Sequence, residues 1–165
     1  MDFKKLNQCC YKISSSLFYD FYFIKSVLKL NKPVIISTGV AEITDIDLLI
    51  NFIKNLKFRN LSLLHCRSLY PTKFSKLNLS RISYIINKYG IITGFSDHSK
   101  GIKAPVASIH YGAKIIEKHF TLDEKRAGFD HGISLNPENF RRMVNEIRLN
   151  EKMIGNYNFK LNAEK

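Results

Sequence analysis

Cysteine is scarce in this chain, and Cys9, Cys10 and Cys66 are odd in number and show no CxxC spacing. That excludes a disulfide framework and a zinc ribbon and leaves reduced thiols as the expected state. Long hydrophobic runs are missing as well. Stretches such as PVIIS at 33–37 and YGIIT at 89–93 are far shorter than the about 20 apolar residues of a bilayer span. The opening MDFKKLNQ has no signal-peptide h-region. Nor is there a GxGxxG or Walker loop for a nucleotide, or a glycine-aromatic RNA motif. Acidic residues are few, 14 against 26 Lys and Arg, for a formal charge of +12. Because the lysines are scattered rather than gathered into a tract, the charge fits an AT-rich genome's Lys bias or an anionic substrate better than nucleic acid. A soluble, cytoplasmic protein with no membrane and no nucleic-acid partner is the expectation.

What is present is a repeat of short apolar strands, each followed by a helical pattern. The 165 residues, 45% hydrophobic, suffice for one core, so a single domain over 1–165 is expected. Strand candidates are CCYKIS (9–14), PVIIST (33–38), LSLLHC (61–66), IITGFS (91–96) and AKIIEKHF (113–120). They are short, β-branched and bounded by turn residues, as strands buried in a parallel sheet are. In TDIDLLINFIKNL, Thr44 reads as an N-cap and Ile46, Leu49, Ile50 and Ile53 fall on one helix face. Leu79, Ile82, Ile85 and Ile86 repeat the spacing, and after the N-cap Asn136 and Pro137 a stripe follows at Phe140, Met143, Val144 and Ile147.

Alternating β and α units leave an open doubly wound sheet or a (β/α)8 barrel. Several strands end in reactive side chains here, including Lys12 and Ser15, Ser37 and Thr38, Cys66 and Ser68, Ser96 and His98, and Glu117 and His119. A barrel gathers all such ends around one site, whereas an open sheet uses a switch point. The fold class expected is therefore α/β, a partial (β/α)8 barrel, since five strands do not close a barrel of eight.

Side chains alternate along a strand, so Ser96 and His98 share a face, as do Glu117, His119 and Thr121. If that face is the barrel interior, two imidazoles meet at its mouth. Two histidines completed by water and a substrate oxygen suit a divalent Lewis acid such as manganese or iron(II), with magnesium also possible, rather than four-ligand structural zinc. Lys12 sits in an apolar strand, where an ammonium needs an anion, phosphate or carboxylate. Ser15, Ser68 and Ser96 either donate to that anion or are ordinary turn residues. Tyr70, before Pro71, is a substrate contact or a packed aromatic, and Asp130 is a substrate contact or a turn cap. Lys118 has the opposite parity and is expected to face the helices; His65, His110 and His131 are expected to be structural.

The segments KPVIISTGVAEITDID, LSLLHCRSLYPTKFSKLNL, GFSDHSKGIKAPVASIHYGAKIIEKHFTLD and GFDHGISLNPENFRRMV, in this order, resemble the N-acetylneuraminate (sialic acid) synthase family, which includes legionaminate and pseudaminate synthases and spore-coat polysaccharide relatives. The resemblance runs from about Tyr11 to Ile154. It implies condensation of phosphoenolpyruvate with N-acetylmannosamine or a related N-acyl amino sugar, giving a nonulosonic acid and phosphate. On matching motifs, His98 and His119 would hold the metal, Lys12 and Ser15 would bind phosphate, and Ser96 would contact phosphoenolpyruvate. Ser68 stands where many sialic acid synthases carry Asn and other relatives Ser, and is placed with those contacts. Tyr70 and Asp130 would touch the amino sugar, and Glu117 would support the waters around the metal. Ser16 replaces a glycine of the family's KIxSG pattern and is expected to crowd its loop. The family's AEIGxNH, KFQ and STPFD segments, and its antifreeze-like capping domain, have no counterpart here. The expectation is the C-terminal half of a synthase barrel, with exposed edges and an uncovered apolar interior, weakly active alone. It would be a remnant or frameshifted piece of a longer gene, a half that pairs with an N-terminal half-barrel chain or forms a homodimer, a subdomain closed on itself, or a non-catalytic module on a partner synthase.

Overall fold

In a computed structural model, residues 8–128 and 130–156 are described; the opening MDFKKLN and Phe129 of the GFDH motif lie outside them. Five parallel strands form one sheet in sequential order: β1 (Tyr11–Ile13), β2 (Val34–Ser37), β3 (Leu61–Cys66), β4 (Ile92–Asp97) and β5 (Ile116–Lys118). Helices α1 (Phe21–Leu28), α2 (Ile43–Asn55) and α3 (Ser80–Tyr89) fill the first three connections, α4 (Lys103–Ser108) the fourth, and α5 (Pro137–Ile154) follows β5. This is α/β architecture in the form of a half-barrel, as the alternation of apolar runs and helical stripes implies. Among the described residues, β1 and β5 have no outer strand neighbour.

Register separates the two faces. Lys12 pairs with Ile35, Ile35 with Ser62, Ser37 with Leu64, Leu64 with Gly94, and Cys66 with Ser96, which pairs with Glu117. These residues face the lumen. The alternate set, Ile13, Val34, Ile36, Leu61 and Leu63, packs under α1 and α2 in the main core. The expected uncovered interior is narrower than a flat sheet would leave it, because curvature brings the edges together. Leu64 on the inner face is only 1% exposed, whereas Ile92 nearer the strand bases is 56% exposed.

Local chemistry sets the element ends. Ile46, Leu49, Ile50 and Ile53 are all buried, as their spacing requires. The N-cap of α2 is Glu42, not Thr44: the Glu42 carboxylate takes the Asp45 amide while Asp45 returns a bond to the Glu42 amide, a capping box that starts the helix earlier. Asn136 caps α5 by accepting from the Asn139 amide, with Pro137 at the first turn. Val144, expected in the α5 stripe, is 37% exposed, and Met143 and Ile147 carry the burial. Strand five is shorter than 113–120, because beyond Lys118 the chain leaves β4 and Phe120 bridges Leu135 instead. Ser16 does not crowd its loop. It is exposed, its hydroxyl meets that of Ser14 at 2.7 Å, and its backbone is not among the positive-φ residues.

Candidate active site

The carboxyl ends of the strands converge. Lys12 on β1 reaches across the lumen to Glu117 on β5, with Nζ 2.9 Å from Oε2. That carboxylate also accepts from the Ser96 hydroxyl on β4 at 2.6 Å. The anion expected to meet the Lys12 ammonium is therefore, in this state, the chain's own glutamate. Burial pushes the Glu117 carboxyl upward, but hydrogen bonds from Ser96 and Lys12 and the Lys12 charge outweigh it, leaving the group below the usual carboxylate range.

His98 and His119 each stand one residue beyond a strand end, with ring centres 5.4 Å apart. Two imidazoles sharing a cation at about 2.1 Å from each donor nitrogen hold their ring centres at about this separation. The His98 Nδ1 lies 2.9 Å from the Arg67 carbonyl, to which its N–H donates, leaving Nε2 without a hydrogen-bond partner among the described residues; this outer contact is typical of metal-ligating histidines. Burial holds the His98 pKa below the usual imidazole value, and the nearby His119 pushes the same way, so the ring stays neutral, as a ligand must be. Among the described residues no group of three or more His, Cys, Asp or Glu side chains surrounds one point. The donor set thus fits a cation with two protein ligands and open positions, not four-ligand zinc.

Tyr70 stacks on His98 at 4.1 Å between ring centres and meets His119 edge-on at 6.0 Å, so it roofs the pair while remaining 53% exposed. Burial, then the charges of Cys66, Asp130 and Glu117, raise its phenol pKa, so it stays protonated. Asp130 lies 3.8 Å from His119 Nδ1 and shares with His119, Gly128, His131 and Ser134 an open hollow of about 320 Å³. On the other side of the rim, Ser15 and Ser68 hydroxyls stand 3.3 Å apart. The structure thus groups Lys12, Ser96, Glu117, His98, His119, Tyr70 and Asp130 around one end of the lumen and places Ser15 with Ser68 at its border.

Reading the sequence missed two contributors, Gly39 and Asp97, and gave Ser37 no role beyond its place at a strand end. Gly39 has no room for a side chain: a Cβ there would fall 2.4 Å from the Ser68 hydroxyl and 3.1 Å from that of Ser15. Ser37, on the lumen face, is 3% exposed with an unpartnered hydroxyl. Asp97 forms a fully buried ion pair with Lys118 at 2.8 Å on the opposite face, which satisfies the expected outward parity of Lys118. The glycine of STG and the acid in SDH were the available signals. His65, His110 and His131 find protein partners in the Leu77 carbonyl, Asn150 and Thr121.

A profile described as the NeuB family matches residues 2–159. An uncharacterized protein of Methanocaldococcus jannaschii is 44% identical over 92% of this chain and 45% of its own length. The N,N'-diacetyllegionaminic acid synthase of Campylobacter jejuni is 37% identical over 88% of this chain and 44% of its own. The chain therefore spans under half the length of these relatives. The crystal structure of an N-acetylneuraminic acid synthetase from Leptospira borgpetersenii superposes with a TM-score of 0.91 at 33% identity, over 97% of this chain and 56% of that one.

Proposed function

Because this chain belongs to the NeuB family, we propose that its strand-end cluster is part of a synthase centre joining phosphoenolpyruvate to an N-acyl amino sugar, N-acetylmannosamine or a diamino relative. Carbon 3 of phosphoenolpyruvate attacks the sugar aldehyde, water adds at carbon 2 and phosphate leaves. The observation that carries this reading is the approach of His98 and His119 to 5.4 Å beside the Lys12–Glu117–Ser96 cluster. A divalent cation held by His98 and His119, manganese by preference and magnesium or iron(II) otherwise, would polarise the aldehyde oxygen.

The protein's own groups do the rest. An incoming phosphate competes with Glu117 for Lys12, and the Ser15, Ser68 and Ser96 hydroxyls add donors to the anion. Ser96 bonds Glu117 before the substrate arrives, so both partners of the glutamate are exchanged on binding. Glu117, released from both, is then open to hydrogen bonds with water beside the histidines. Asp130 lines the hollow next to His119 that would receive the amino sugar, and Tyr70 meets His119 edge-on beside it.

Manganese binding followed by electron paramagnetic resonance tests the assignment. His98→Ala and His119→Ala should each weaken it at least about tenfold, the effect of losing a ligand or its support; unchanged affinity refutes the shared site. Phosphate release from phosphoenolpyruvate and N-acetylmannosamine should be slight for the 165-residue chain alone and rise when a polypeptide carrying the remaining barrel strands is added. Rapid turnover by the chain alone refutes that partnership. Among the described residues β1 and β5 have no outer strand neighbour, which also favours a second reading, a non-catalytic half-barrel docked on a synthase subunit or on a second copy. A chain that stays monomeric at high concentration in size-exclusion chromatography argues against it.

A further inference from the structure

Behind the sheet, on the side away from Lys12 and Glu117, the loop after β2 and the exposed face of α3 enclose a cavity of about 650 Å³. Thr38, Ile46, His65, Arg67, Arg81 and Tyr84 contribute to its wall. His65 has the parity of Leu63 in the helix-side core, and its ring stacks on Phe95 at 6.0 Å, so the cavity is outside the lumen. Two guanidiniums line it, and neither forms an ion pair among the described residues. The Arg67 Nε is shut off from solvent without a hydrogen-bond acceptor. Burial chiefly, opposed by the hydrogen bond to the Leu77 carbonyl and aided by the charges of Arg81 and Arg67, holds the His65 imidazole below its usual pKa. The Glu42 carboxylate in the wall is already engaged by the capping box of α2.

We propose that this cavity binds a small organic phosphate, gripped by Arg67 and Arg81, at a second site distinct from the strand-end cluster. Guanidinium forks match phosphate oxygens two at a time, and those of Arg67 and Arg81 line one hollow with no carboxylate paired to either among the described residues. The volume lies within the about 300–1,000 Å³ range of small-molecule sites, so a lone phosphate would leave most of it empty. Ile46 and the Tyr84 ring offer a partly apolar flank for an organic body. The two sites adjoin: Arg67 turns its side chain to the cavity and gives its carbonyl to His98, and Gly39 lines the cavity while abutting the Ser68 and Ser15 hydroxyls.

The test must separate this site from the lumen, where phosphate is also expected. The full chain carrying Lys12→Met is titrated calorimetrically with glucose 6-phosphate, inorganic phosphate and glucose. The sugar phosphate should bind one to one, inorganic phosphate more weakly, and glucose not at all. Adding Arg81→Gln or Arg67→Gln should weaken sugar-phosphate binding at least about tenfold, as loss of a charged hydrogen bond does. Arg81 is exposed, so that variant keeps the core, and an unchanged urea midpoint verifies it. Loss of all phosphate binding in Lys12→Met, or affinity indifferent to both arginine substitutions, overturns the proposal. Inorganic phosphate binding as tightly as the ester overturns the assignment of an organic ligand.

Discussion

Replacing Lys118 by Met should destabilise the fold more than any change at the visible rim of the site. The Lys118 and Asp97 side chains are both 0% exposed, and Nζ lies 2.8 Å from Oδ2. The same ammonium donates to the Ser99 carbonyl, while Asp97 Oδ1 accepts the Ser99 amide at 2.8 Å. Methionine keeps the length of the stem but removes the cation, so a carboxylate remains in a dry interior with one backbone donor. Breaking one partner of such a pair costs about 3–5 kcal/mol. At about 1.4 kcal/mol per decade, that is a loss of roughly two to three and a half powers of ten in the folding equilibrium constant. Urea unfolding should show a lower midpoint at constant slope. The double variant Asp97→Leu, Lys118→Met removes both charges and leaves only the Ser99 groups unpaired, so its loss should fall at least about 2 kcal/mol short of the sum of the single losses. A Lys118→Met loss below about 1 kcal/mol, or additive losses in the cycle, refutes the view that this pair is tightly coupled.

Stability should fall as pH drops below about 6.5, the unfolded histidine value. Burial depresses the His65 and His98 pKa values, so the unfolded chain takes up protons that the fold refuses, at up to about 1.4 kcal/mol per pH unit for each group. Urea midpoints between pH 7 and 5 measure the slope, and His65→Gln should remove one proton's worth; an unchanged slope contradicts it. Gly39→Ala should weaken phosphoenolpyruvate binding in calorimetry, because its Cβ meets the Ser68 hydroxyl at 2.4 Å and must displace it. Stability should drop by about 1–3 kcal/mol from overpacking, and intact binding argues against Gly39 as the spacer. Ser96→Ala should raise the Glu117 pKa in a carboxyl-resolved NMR titration, because burial then meets less opposition. A fall would refute the hydrogen bond's role.

Much of the scaffold was legible because its cause is periodic. The α2 stripe from Ile46 to Ile53 and the alternate residues of β3 announce which surfaces are buried. The His98 and His119 pairing was legible for the same reason, as each imidazole sits two residues after an inward side chain that pairs with its neighbour strand, Ser96 or Glu117. Short elements were less visible. The stretch FYFIKSVL of α1 has apolar residues on most sides, and α4 spans only six residues, so neither gives a clear stripe. Contacts between distant positions were beyond reach. Lys12 and Glu117 are 105 residues apart, and nothing in their local spacing says that β1 and β5 face each other across the lumen. Nor does a glycine reveal what its missing side chain would strike, which hid Gly39.

The β4–β5 junction shows why the two imidazoles meet. Ser96 and Asp97 pair in register with Glu117 and Lys118. Because parity alternates, Ser96 bonds Glu117 on the lumen face while Asp97 bonds Lys118 on the helix face. A slip of one residue would turn Lys118 into the lumen beside Lys12 and bury Glu117 against the helices without a cation, so both faces oppose it. Backbone hydrogen bonds alone would tolerate such a slip in a three-residue strand. The two side-chain pairs therefore fix the register, and the register sets His98 and His119 at matching heights above their strands. The buried pair on the far side of the sheet acts on the site by holding its geometry and touches no substrate.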